Sequence, residues 1–169
     1  MVQLESQAIP QADVIWDVVR VPEAVRAGAT HPAAVAAYIG SKVARQGTYY
    51  AQAARILGLV AADQTGEGMQ LTPYGRAFLS YDWQGQRRAL RHLMMRTEPM
   101  RSVLQALIDE DGQSLDELAT LIQRMAPLAH STARRRASTV ATWLCNLGLA
   151  RWNENVLVYS GPPLAVQLS

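Results

Sequence analysis

The chain has 169 residues, of which 49% are hydrophobic and 18% charged, with a formal net charge of +2. That hydrophobic fraction excludes a disordered chain, and the length suits one or two small domains. The single cysteine, Cys145, excludes an intramolecular disulfide and a cysteine-based zinc site. No apolar run approaches ~18 residues, and the start MVQLESQAIP has no basic flank before an apolar core. The expectation is a cytoplasmic protein with no membrane partner. Charge is unevenly spread. Residues 41–101 hold nine basic against four acidic side chains and 131–169 hold four against one, whereas 102–130 hold one against five. Of the 16 basic residues, 15 are arginine, the better bidentate partner for phosphate and guanine. The low charged fraction also fits burial of apolar surface against a second domain or a second copy of the chain.

Taken in order, residues 1–11 read as a loose lead-in. A short amphipathic helix follows over 12–21, with Val14, Trp16, Val18 and Val19 available to a core. Pro22 opens a second helical piece, which Gly28 ends. Thr30 is expected to cap HPAAVAAYIG, with Pro32 in its first turn and Gly40 at its end. Then comes SKVARQGTYYAQAARILGL, residues 41–59. At 3.6 residues per turn Val43, Gly47, Tyr50, Ala53, Ala54 and Leu57 share one face. Ser41, Arg45, Thr48, Gln52 and Arg55 share the other, flanked by Lys42 and Tyr49. Gly47 on the packed face predicts close approach to the preceding helix. LVAAD, the turn residues QTGEG, and MQLT predict a hairpin.

Thr72 and Pro73 start a short helix with Tyr74, Phe78 and Leu79. The next helix, RRALRHLMMRT, turns Leu90, Leu93 and Met94 inward and carries Arg87, Arg88, Arg91 and Arg96 on its other sides, where they are expected to be solvated or paired with the acidic 109–117 segment, the alternative being contact with a DNA backbone. Glu98 and Pro99 open a helix with Met100, Val103, Leu104, Leu107 and Ile108 as core. Ser114 and Glu117 form a capping box for LDELATLIQRM, and Pro127 breaks the chain after it. STARRRASTVATWLCNLGL, residues 131–149, is the second two-faced helix. Ala133, Ala137, Val140, Ala141 and Leu144 form its packed face. Ser131, Thr132, Arg135, Ser138, Thr139 and Thr142 form its polar face, with Arg134 and Arg136 flanking. Gly148 stops it, and ARWNENVLVYS reads as strand, turn and strand.

The two helix–hairpin segments align at a constant offset of 90, pairing Ser41 with Ser131, Arg45 with Arg135, Thr48 with Ser138 and one Leu-Gly-Leu with the other. The expected fold is mainly α with small β-hairpins: a tandem winged helix-turn-helix, in the α+β class. Its expected units are 1–81, 82–161 with a leading basic helix, and an extended tail at 162–169.

No catalytic constellation is legible. His31, His92 and His130 are separated, HExxH and P-loop patterns are absent, and Ser131 and Ser138 lack an adjacent base. Asp109-Glu110-Asp111 reads as a solvated helix end. The expectation is a non-enzyme with no metal and no cofactor. Hydroxyls and guanidinium groups on one helix face match phosphate oxygens and base edges, which points to double-stranded DNA.

The chain carries an Arg-Gln before a tyrosine pair, a Leu-Gly-Leu, an Leu-Thr-x-x-Gly after the first hairpin, and a Thr-x-Arg-Arg before Thr-Val and Trp-Leu. With these it resembles the paired winged-helix regions of restriction-modification proteins, including recognition regions of type II restriction endonucleases. The resemblance covers about residues 12–160. It implies sequence-specific DNA reading, with cleavage supplied by a separate nuclease domain or subunit, and it makes Arg45, Thr48, Gln52, Arg135, Ser138 and Thr139 candidate base or phosphate contacts. The residues themselves place Arg45 and Arg135 at guanine and Gln52 at adenine. They place Ser131, Thr132 and Arg134 at phosphates, and Arg151 and Asn153 on a wing. Ser41, Lys42, Tyr49, Arg55 and Thr142 complete the expected surface. The rival readings are a winged-helix interaction or dimerisation module and a transcriptional regulator without nuclease activity.

Overall fold

The structure, a computed structural model, describes residues 2–163. The expected tail at 162–169 lies outside them from 164 onward. The protein is mainly helical with small antiparallel sheets. The chain divides into two compact units, Pro10–Leu93 and Met1–Ile9 with Met94–Ser169.

In the unit Pro10–Leu93, α1 (Ile15–Val18) and α2 (Arg20–Arg26) lead to α3 (Pro32–Tyr38) and α4 (Ala44–Ile56). A hairpin of β1 (Val60–Ala62) and β2 (Met69–Leu71) follows, paired from Val60–Leu71 to Ala62–Met69. Then come α5 (Pro73–Ser80) and α6 (Trp83–Arg96). The basic helix α6, expected to lead the second unit, falls for most of its length within this one. Glycines at positive φ end α2, α3 and α4: Gly28 (98°), Gly40 (82°) and Gly58 (73°). Gly47 behaves as its position predicted. A Cβ there would lie 1.9 Å from the Pro32 carbonyl oxygen and 3.0 Å from Ala36 Cβ, so α3 and α4 touch along a line only glycine permits.

Two expectations need correction here. Thr30 does not cap α3. The N-cap is His31, without a side-chain cap bond, and the Thr30 carbonyl accepts from Met69 N at 2.9 Å. The first two-faced helix, α4, begins at Ala44 rather than Ser41. Val43, placed by periodicity on the packed face, precedes the helix and is 55% exposed.

The other unit holds α7 (Met100–Asp109), β3 (Gln113–Ser114), α8 (Leu115–Met125), α9 (His130–Asn146), β4 (Ala150–Asn153) and β5 (Val156–Tyr159). The strands form one antiparallel sheet in the order β3-β5-β4. Ser114 caps α8 as expected: Ser114 Oγ accepts from Glu117 N at 3.1 Å and Glu117 Oε2 accepts from Ser114 N at 3.2 Å. The two residues of β3 were not foreseen. They pair with β5 because the turn at Asp111-Gly112 brings the chain alongside it. The core is built from Leu104, Leu107, Leu118, Ile122, Val140, Trp143, Leu144 and Leu157, of which Trp143 is the bulkiest fully buried side chain.

Residues 2–9 are not a loose lead-in. Leu4 N donates to Met125 O at 2.6 Å, and Ile9 is fully buried. The Arg136 guanidinium donates to the carbonyls of Ser6 and, at 3.3 Å, of Ile9. This segment joins the second unit, a contact of more than a hundred residues' separation that no local pattern encodes.

Candidate nucleic-acid interface

Each unit ends a helix at a Leu-Gly-Leu and turns directly into a hairpin. The hairpins return to that motif by the same device. Thr72 N donates to Leu59 O at 3.3 Å and Thr72 Oγ1 to Gly58 O at 2.6 Å. Ser160 N donates to Leu149 O at 3.0 Å and Ser160 Oγ to Gly148 O at 3.3 Å. Thr72 Oγ1 also accepts from Gly75 N, and a Cβ on Gly75 would stand 1.9 Å from Leu59 O. The Leu-Thr-x-x-Gly motif is therefore a packing motif that fixes where the hairpin lies against its helix.

On α4 the outward face carries Arg45, Thr48 and Arg55, all exposed, with Tyr49 and Gln52 half-buried beside them. The Arg45 guanidinium lies 5.4 Å from the Tyr49 ring centroid, a cation–π contact that helps orient an exposed arginine. Gln52 is less free than expected, because its Oε1 accepts from Gln11 Nε2 at 3.4 Å. Ser41 and Lys42 lie in the turn before the helix rather than on it, and Ser41 Oγ accepts from Val43 N at 3.3 Å. Behind this face the Tyr50 phenol packs into the core, and burial pushes its pKa up.

On α9 three consecutive arginines meet three environments. Arg134 pairs with Asp116 of α8, and the guanidinium beside it holds the Asp116 carboxyl below the usual carboxylate range. The stability from that pair is present above the ordinary range and is lost as pH falls through the lowered value. Arg136 is half-buried, and its Nη1 donates to the carbonyls of Ser6 and Ile9. Arg135 points out, exposed, with no carboxylate partner among the described residues. Ser131 and Ser138 are exposed on the same side, and Thr132 is half-buried. Thr142 is half-buried and its Oγ1 donates back to Ser138 O at 2.8 Å. Thr139, placed by periodicity on the polar face, is a correction. It is 3% exposed, and Thr139 Oγ1 donates to Arg135 O at 3.4 Å. A hydroxyl that bonds the carbonyl one turn back can be buried where a bare polar group could not.

Arg151 and Asn153 are exposed on β4. The turn beyond them is Glu154-Asn155, one residue shorter than the expected Asn153-Glu154-Asn155, with Glu154 at φ 56°. The sequence reading missed Trp152, 42% exposed between Arg151 and Asn153, and His130, the first residue of α9, whose Nδ1 lies 3.0 Å from Gln123 Oε1. The tryptophan's signal was its place in an exposed hairpin, and the histidine's was its position a turn before three consecutive arginines.

Among the described residues no three His, Cys, Asp or Glu side chains gather as metal ligands would, and no helix is long and apolar enough to cross a membrane. An open groove on the second unit is lined by Glu98, Asp109, Glu110, Asp111 and Glu117 against Arg101 and Arg124, with Asp116 of α8 also in its lining.

The model of a domain family of unknown function, DUF7226, matches residues 35–147, more than half of the chain. The chain belongs to this family. The DUF7226 match begins inside α3 and ends just after α9, so it takes in the outward faces of both two-faced helices, whereas Arg151 and Asn153 lie beyond it. No curated protein and no solved structure matches the chain.

Proposed function

We propose that the protein is a tandem winged-helix reader of double-stranded DNA, with α4 and α9 as recognition helices. In the second unit the order α7-β3-α8-α9-β4-β5, with β3 beside β5, is the order of a winged helix. In the first unit α2-α3-α4-β1-β2 follows the same plan, with the Thr30–Met69 hydrogen bond in the place of the first strand. The observation that carries the reading is the matched pair of exposed arginines, Arg45 and Arg135. Each lies on the outer face of the helix that precedes a hairpin, beside the exposed hydroxyls of Thr48 and Ser138. A recognition helix meets base edges with such a face, and arginine is the commonest bidentate partner of guanine. Arg55, Ser131 and Lys42 supply phosphate contacts, and Arg151 with Asn153 supplies a wing contact.

By its resemblance the chain serves as the recognition part of a restriction-modification or related defence protein in the cytoplasm, with cleavage carried by another domain or subunit. A second reading, a protein-docking module, is favoured by one observation: Trp83 is 61% exposed and stacks at 6.0 Å on Trp16. Selection from a randomised duplex pool, read at ~50 and ~200 mM salt, separates the two. Enrichment of one motif with steep loss at the higher salt is expected. Indifference to both sequence and salt would favour the docking module.

A further inference from the structure

The contact between α8 and the start of α9 has a use beyond holding two helices together. Asp116 faces two basic side chains of α9: its Oδ1 pairs with the Arg134 guanidinium and lies 3.6 Å from His130 Nε2. All three side chains are open to solvent, with exposures of 67% for Asp116, 52% for His130 and 47% for Arg134. An exposed ion pair of this kind adds little to stability. Nor does α8 need Asp116 for its start, because Ser114 and Glu117 form the capping box without it. The carboxylate thus neutralises, on the face read as DNA-binding, one of the arginines that such a face would turn to phosphate.

We infer that Asp116 gates the phosphate contact of the second unit: a duplex phosphate must displace its carboxylate from Arg134 in order to bind. The inference rests on the DNA reading above and adds its regulation. An internal anion that competes with phosphate lowers affinity for any duplex. It leaves Arg135, which meets no carboxylate, to discriminate among sequences. Non-specific binding is held down, and the exchange of one anion for another makes the contact reversible.

The test uses the full chain, a random-sequence duplex as probe, and the variants Asp116→Asn and Asp116→Asn with Arg134→Gln. Thermal unfolding first establishes that each is folded. Asp116→Asn is expected to bind about fivefold more tightly at ~50 mM salt, the size of one exposed charge-assisted contact. Its salt dependence steepens by one phosphate, so the advantage shrinks by about three- to fourfold between ~50 and ~200 mM. In the double variant the gain disappears. Unchanged affinity in Asp116→Asn would overturn the gate, leaving a purely structural pair. A gain that survives removal of Arg134 would overturn it as well, since Asp116 would then act only by repelling the duplex through space. If the native chain and both variants fail to bind at ~50 mM, the DNA reading falls, and the gate with it.

Discussion

Ninety residues apart, α4 carries Gly47, Ala53 and Ala54 where α9 carries Ala137, Trp143 and Leu144, and all six are buried. The two units build the same helix pair from opposite materials. In the first, small side chains let α3 press its backbone against Gly47, and the contact is made at a carbonyl. In the second, Trp143 and Leu144 fill the space between elements. The start of the second helix pair differs too, with a full capping box on α8 and no side-chain cap on α3. The first strand is two paired residues in one unit and a single hydrogen bond in the other. Local order and hairpin geometry persist while core filling changes, so a repeat can be recognised in the positions of its stops and polar faces even where the buried residues diverge.

The comparison can be broken most strongly in the cores. Trp143→Ala should cost about 3–5 kcal/mol through the cavity it leaves. Gly47→Ala should cost about 3 kcal/mol, at the upper end of overpacking, because the blocking atom is a backbone carbonyl that cannot swing aside. Adding the same methyl group is harmless ninety residues later, where the chain already has Ala137. Urea unfolding of the three proteins reads this directly, and a Gly47→Ala variant as stable as the native chain would mean α3 and α4 do not meet as described.

The capping difference predicts a smaller effect. Ser114→Ala should cost about 1 kcal/mol, and Thr30→Ala less than about 0.5 kcal/mol, since Thr30 contributes its carbonyl rather than its hydroxyl. Equal costs in thermal unfolding would argue against the asymmetry. The smallest effect should come from the second hairpin. Glu154 sits at φ 56°, and Glu154→Gly should relieve its left-handed strain, stabilising the chain by about 0.5 kcal/mol after the greater freedom of unfolded glycine is discounted. A loss of stability would show that Glu154 makes a contact worth more than the strain.

Much of this was legible in the sequence because it is local. Periodicity placed Tyr50, Ala53, Ala133, Ala137 and Val140 inside, glycine marked the ends of α2, α3, α4 and α9, and Ser114 with Glu117 announced α8. The failures came where periodicity was extended past a helix end or where a distant partner intervened. Val43 was read as helical and lies before the helix. Thr139 was read as a surface hydroxyl and is buried on a backbone carbonyl. Arg134 and Arg136 look alike in sequence, yet one meets Asp116 and the other the carbonyls of Ser6 and Ile9. Nothing within a turn of either arginine encodes those partners. The same holds for Gln52, whose amide is met by Gln11. Of the expected surface, Lys42, Arg45, Thr48, Arg55, Ser131, Arg134, Arg135, Ser138, Arg151 and Asn153 remain exposed, and they are the residues on which the functional reading depends.

That reading is tested most directly by titrating a labelled duplex of the sequence selected from the pool, and its single-position variants, with the native chain and with Arg45→Ala and Arg135→Ala, from ~50 to ~200 mM salt. The account predicts that log affinity of the native chain falls linearly with log salt. It predicts a loss of about 1–3 kcal/mol for each variant at the sequence selected from the pool, with preference relaxed at one position. Absence of binding at ~50 mM, or three superimposable curves, would contradict it.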